Sequence, residues 1–225
     1  MVAQKVRIWL IAFIAFTILV SCGNVLTKNN VTITFGKTNL RFTAGGDESI
    51  PETVPPYSET DIRNSTVGTW QAGGSGTGVC IGTGKILTAY HCTNKPGPVW
   101  IVHGGKHHIA QVISSNSGTD LAMLSFTPTD PITPLKIAKH DPKTGEKITS
   151  VGWADTQSTT LWEMIDTGPE GGFQRTVERP FAKGRSGGAI VNSRSEIIGI
   201  TTSSTQFNGY YTDLASIRLL LGSNY

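Results

Sequence analysis

Three side chains able to perform acyl transfer together occur in the chain in the order His91, Asp120, Ser186. Their settings are Leu87-Thr88-Ala89-Tyr90-His91-Cys92, Thr119-Asp120-Leu121-Ala122-Met123-Leu124 and Gly184-Arg185-Ser186-Gly187-Gly188. A serine hydroxyl is a poor nucleophile near neutral pH until an imidazole takes its proton. The imidazole in turn needs a carboxylate to fix its tautomer and to stabilise the imidazolium. Glycines on both sides of Ser186 permit the backbone turn that aims N–H groups at a developing oxyanion, and they let another chain approach closely. The N–H groups of Gly184 and Ser186 are therefore the predicted oxyanion donors.

These motifs resemble the chymotrypsin-like (trypsin-fold) serine peptidases, over roughly Thr66 to Leu221. The short intervals between the three residues are similar to those of the compact bacterial HtrA/Deg branch. Gly74-Ser75-Gly76-Thr77-Gly78-Val79 resembles the strand that opens such domains, and Ile197-Ile198-Gly199-Ile200 the strand after the nucleophile. The resemblance implies an all-β fold of two antiparallel Greek-key β-barrels with the active site in the cleft between them. It also implies a polypeptide substrate and no cofactor. Only 39 residues follow Ser186, so the expectation is a branch member without a PDZ domain.

The resemblance places the primary pocket near Pro180 to Lys183, Thr201 to Ser204, and Gly209 to Tyr211. Pro180 stands where trypsins carry the Asp that binds Arg or Lys, so small or medium apolar, or polar, side chains are expected. Thr201, Thr202, Ser203 and Ser204 are candidate pocket residues, and the first three offer hydroxyls to an acidic side chain. Arg185 stands where digestive proteases carry the Asp that binds a newly freed amino terminus. A cation cannot receive an ammonium, so activation by that route is not expected.

The elements that must position these groups read as strands. The 26 glycines and the 16% charged content suit a turn-rich β protein. From Val67 onward short apolar runs alternate with Gly-rich turns, without a long helical period. Val99–His103 and His108–Ile113 read as a hairpin around Gly104-Gly105, and Asp120 opens a strand from Leu121 to Phe126. Thr127 to Pro134 holds three prolines and reads as the connection between the barrels, since proline removes ladder donors. Barrel 1 is predicted at about 61–128 and barrel 2 at about 135–225, with a short terminal helix from Asp213 to Leu221 capped by Asp213.

Upstream, Lys5 and Arg7 precede an apolar run from Ile8 to Val20, the pattern of a signal peptide over 1–21. Leu19-Val20-Ser21-Cys22-Gly23 resembles a lipobox, which implies acylation of Cys22 and a membrane-anchored lipoprotein of the bacterial envelope; an ordinary signal peptide and an uncleaved anchor remain open. Residues 22–60 read as a tether, with a possible hairpin or edge strand in Val31 to Phe42. Removal of the leader takes away two cations and leaves 17 basic against 16 acidic side chains, so nucleic-acid binding has no electrostatic support. In an exported protein Cys80 and Cys92 are expected to form a disulfide, worth on the order of 3 kcal/mol by loop closure; two free thiols are the alternative. His103, His107 and His108 sit around a hairpin tip. Adjacent strand residues point to opposite faces, so a metal site is not expected there.

Two other functions use the same residues. One is a catalytically silent binding lipoprotein on this fold; the other is an esterase-type acyl hydrolase.

Overall fold

A computed structural model describes residues 31–35, 38–42, 57–154 and 158–222. Cys22, the leader and most of the expected tether lie outside the described residues. The chain divides into two units, Met1–Thr53 and Val54–Tyr225. In the first, β1 (Val31–Phe35) and β2 (Thr38–Phe42) form an antiparallel hairpin with Val31 opposite Phe42.

The second unit begins with a helix, Glu59–Ser65, that the reading of 22–60 as a tether and 61–128 as barrel 1 does not contain. Its signal is a capping box. Ser58 Oγ accepts from the Asp61 N–H at 3.1 Å, and the Asp61 carboxylate accepts from the Ser58 N–H at 2.9 Å. This reciprocal pair satisfies two of the donors that every helix start leaves open.

Two closed six-stranded antiparallel barrels follow, as the alternating pattern predicts. The first contains β3 (Thr66–Gln71), β4 (Gly74–Gly82), β5 (Lys85–Ala89), β6 (Val99–His103), β7 (Lys106–Asn116) and β8 (Leu121–Ser125). Its neighbours run β3-β4-β5-β8-β7-β6 and close by pairing β6 with β3. The second contains β9 (Lys147–Ala154), β10 (Ser158–Gly171), β11 (Gln174–Val177), β12 (Ala189–Val191), β13 (Ile197–Ser204) and β14 (Gly209–Thr212). Its order, β9-β10-β11-β14-β13-β12, is the same permutation. In each, three strands meander and the fourth jumps to the far side of the first, which is the Greek-key connection. The segment from Thr127 to Pro134 carries no strand.

Alternation along the strands sends side chains to two places. Val67, Cys80, Ile86, Ile101 and Leu124 fill the interior of barrel 1. Val79, Leu87 and Leu121 point the other way and join Val151, Ile190 and Ile200 of barrel 2 in one continuous core. Each such side chain contributes about 1.5–3 kcal/mol on leaving water, so the apolar seam holds the barrels together and fixes the cleft along their edge. The closing helix, Leu214–Leu221, is capped as predicted, with Asp213 Oδ1 accepting from the Ser216 N–H at 2.9 Å.

Candidate active site

His91 lies where β5 ends, in the single 3-10 turn Tyr90–Cys92. Asp120 lies just before β8, at the end of a turn in which Asn116 Oδ1 accepts from the N–H groups of Gly118 and Thr119. Asp120 has φ +53°, in the left-handed region that Asp tolerates better than most residues. That conformation lets one residue hold two others. Its carbonyl accepts from the Tyr90 N–H at 3.0 Å, Oδ1 accepts from the His91 N–H at 3.0 Å, and Oδ2 lies 2.8 Å from His91 Nδ1. The side chains of His91 and Asp120 are 43% and 24% exposed, so the imidazole opens to the cleft while most of the carboxylate is covered. The His91 imidazolium is stabilised well above the ordinary histidine range, to about 10. The hydrogen bond to Asp120 is the main cause, the Cys92 thiol adds to it, and burial opposes it.

Ser186 occupies the loop between β11 and β12. Gly184 and Gly187 have φ +85° and +84°, and a Cβ on Gly187 would lie 2.1 Å from the Thr77 carbonyl oxygen, so this position admits only glycine. Thr77 of β4 holds the loop from the other barrel: its N–H donates to the Ser186 carbonyl at 2.7 Å and its Oγ1 to the Gly184 carbonyl at 2.7 Å. Thr77 Oγ1 also accepts from the Trp153 N–H at 2.8 Å. With their carbonyls engaged, the N–H groups of Gly184 and Ser186 have no acceptor among the described residues. Ser186 Oγ donates to the Thr202 carbonyl at 3.2 Å. Cys92, next to His91, has its Sγ 3.6 Å from the Ser186 carbonyl, which brings the three predicted residues to one cleft.

Arg185 is fully buried. Its guanidinium donates to Ser150 O and Oγ on β9 and to Thr160 O and Oγ1 on β10, and it stacks on Trp162. Burial, with Arg179 adding repulsion, pulls its pKa down to about 10.

The predicted pocket residues fall into different environments. Pro180 and Ser203 are exposed. Thr201 and Thr202 are buried; Thr201 pairs through its backbone with Gly187 and Gly188, and Thr202 Oγ1 donates to the Tyr210 carbonyl. Ser204 Oγ accepts from the Phe181 N–H at 2.8 Å. The Phe181 ring lies against Gly209, where a Cβ would be 2.6 Å from it, and Gly209 is the cross-strand partner of Ser204. Sequence reasoning included Phe181 in its pocket range but not its packing on Gly209, and it passed over the roles of Thr77 and of the Arg185 anchor, because each acts through a contact distant along the chain.

The expected Cys80–Cys92 disulfide is absent, and both thiols are free. The Cys92 sulfur packs on Gly76, 2.6 Å from where a Cβ would stand. Cys80 is four residues farther along β4 on the same face, roughly 13 Å away at 3.3 Å per residue, whereas a disulfide needs Cβ atoms about 4 Å apart. The histidines of the hairpin are occupied by other contacts: His103 Nε2 lies 3.3 Å from the Pro131 carbonyl, His107 packs edge-on to Trp100, and His108 edge-on to Phe126.

The family described as trypsin-like peptidase domain matches residues 76–200. The periplasmic pH-dependent serine endoprotease DegQ of Escherichia coli is 26% identical over 170 residues, covering 71% of this chain. The chain spans only 37% of that relative's length. A glutamyl endopeptidase of Staphylococcus epidermidis is 26% identical over 209 residues, covering 77% of this chain and 74% of the relative. Two solved structures share the fold: the Rv3671c protease of M. tuberculosis in its active form (TM-score 0.67, 19% identity, 72% of this chain and 81% of that one) and the serine endoprotease of Yersinia pestis (TM-score 0.65, 23% identity, 74% and 66%).

Proposed function

We propose that this chain, which belongs to the trypsin-like peptidase family, is a serine endopeptidase acting through Ser186, His91 and Asp120. The observation that carries the reading is the two-point grip of Asp120 on His91 beside a nucleophile loop whose Gly184 and Ser186 N–H groups have no acceptor among the described residues. In this reading His91 Nε2 takes the Ser186 proton as Oγ bonds to the peptide carbonyl carbon. The oxygen, now negative, is held by the two N–H groups; one such donor is worth about 100- to 1000-fold in rate. The C–N bond then breaks, and His91 returns the proton to the leaving amine. Water repeats the sequence on the acyl-enzyme and frees Ser186.

The Phe181 ring packs against Gly209, the partner of Ser204, which supports a shallow primary pocket. That supports small side chains before the scissile bond, with Pro180, Thr202, Ser203 and Ser204 around it. The buried Thr201 hydroxyl does not favour an acidic residue there.

The reading extends to location. Lys5, Arg7 and the apolar run before Cys22 support export and acylation of Cys22, hence a protease tethered to a membrane of the bacterial envelope. Cys22→Ser is then expected to lose incorporated fatty acid and move to the soluble fraction.

The deciding experiment is fluorophosphonate labelling of the folded chain beside Ser186→Ala. Ser186-dependent labelling with cleavage of a peptide library supports the endopeptidase. Turnover of esters alone supports an esterase, and no labelling of folded protein supports the silent binding reading.

A further inference from the structure

Beside the nucleophile loop, on the outer face of barrel 1, lies a cavity of about 920 Å³ whose walls include Gly184, Gly76, Trp70, Trp100, Trp153 and His107. Trp70 of β3 is directly opposite Trp100 of β6, and both project outward because their strand neighbours Thr69 and Ile101 fill the buried face. Next along β3 is Gly68, where a Cβ would come 2.7 Å from the Trp153 ring. The missing side chain is what lets the ring of Trp153, the penultimate residue of β9, lie against the sheet and wall the cavity. His107 packs edge-on to Trp100 at 6.5 Å. Apart from His107, no titratable side chain lines the space among the described residues. Trp70 is half exposed, which costs apolar burial that the isolated chain does not recover. The volume is that of a ligand pocket.

The position of this cavity relative to the chemistry says which half of a substrate reaches it. In the proposed reaction the leaving amine takes its proton from His91, so it departs on the side of barrel 1, which carries His91. The resting Ser186 hydroxyl instead faces Thr202 on barrel 2, and Phe181 and Ser204 lie on that side, where the acyl half belongs. Gly76 links the two features: it lies under Cys92, next to His91, and also lines the cavity.

Resting on the endopeptidase reading, we propose that the three-tryptophan cavity is the site for the leaving half of the substrate, and that it selects aromatic or large aliphatic side chains within the first three positions after the scissile bond. An extended chain advances about 3.3 Å per residue with alternate side chains on one face, so the first and third of these can turn toward the indoles together. Aromatic rings stacked edge-on or offset on the indoles gain over mere area burial, and a charged residue there loses hydration with no partner.

The test uses substrates with one acyl half and three leaving groups: a small ester, a peptide with Ala at three positions, and peptides with Phe, Trp or Leu there. The aromatic peptides are expected to exceed the alanine peptide about tenfold in kcat/KM. In Trp70→Ala and Trp100→Ala the ratio of aromatic to alanine peptide is expected to fall toward one. Equal cleavage of all peptides, or a preference that survives both substitutions, overturns the proposal. A second measurement does not depend on turnover: the Ser186→Ala chain is titrated with a Trp-free Phe-Leu leaving-half peptide and with its alanine version, read by indole fluorescence. Saturable binding of the first alone, lost in Trp70→Ala, upholds the cavity even if fluorophosphonate labelling fails and the endopeptidase reading falls; no binding of either overturns it.

Discussion

The guanidinium of Arg185 sits 4.0 Å over the ring of Trp162, and Arg185 is the residue that joins Gly184 to Ser186. A fully buried cation is costly unless its donors are used. Here carbonyl and hydroxyl oxygens of β9 and β10 use four of its contacts. The charge is thus an anchor inside barrel 2, and the predicted inability to bind an amino terminus has a positive counterpart: the loop is held by the chain's own strands.

Arg185→Met is therefore expected to keep the barrels folded but let the loop relax, lowering kcat by about 100-fold, the scale of one lost oxyanion donor, with a smaller change in KM. Arg185→Lys should recover part of the rate. Peptide hydrolysis compared with unchanged far-ultraviolet dichroism checks this; unaltered kcat in Arg185→Met refutes it.

Proton linkage sets two opposite trends. The His91–Asp120 pair raises the folded-state pKa of His91 to about 10, above the ordinary value near 6.5. Its stabilisation is complete below about 6.5 and fades as pH rises through the folded pKa. Proton abstraction from Ser186 needs neutral His91, so kcat/KM should climb from pH 7 to 10 while Tm drifts downward. A pH–rate profile already flat from pH 6 would contradict this.

Phe181→Ala removes the ring packed on Gly209. Acyl-side preference is expected to widen from small residues to Leu, Met or Phe, with at least a tenfold gain in kcat/KM for the large ones. Cleavage-site profiling of both proteins reads it directly.

Inside barrel 2, Asp166 is fully buried and accepts from Arg175 Nη2 at 2.6 Å and from the Tyr211 hydroxyl at 2.5 Å. Asp166→Asn leaves the Arg175 charge buried without its partner, a change that costs about 3–5 kcal/mol in comparable pairs. Urea denaturation should show a loss of that order.

Local pattern and local motif carried much of this structure. Alternation in Val99–His103 gave a strand because one face is buried, the short apolar run Leu121–Ser125 gave one because both faces are, and Asp213 before an apolar run gave the final cap. The motifs around His91, Asp120 and Ser186 named residues that do meet in one cleft. The misses are contacts that no local pattern encodes. Cys80 and Gly76 share one face of β4, but the position facing the Cys92 sulfur is Gly76, a fact of register. The helix at Glu59–Ser65 was hidden by its prolines upstream, although Ser58 and Asp61 spell its cap. The tryptophans of the cavity are spread over Trp70, Trp100 and Trp153: closure of barrel 1 pairs the first two, and the packing of β9 on Gly68 brings the third.

Thr77 is a residue of the first barrel that fastens the loop of the second with its N–H and its hydroxyl at once. Neither half of the molecule can therefore build the cleft alone, so a chain cut between Thr77 and Gly184 and separated into its two pieces is expected to take up no active-site label in either piece.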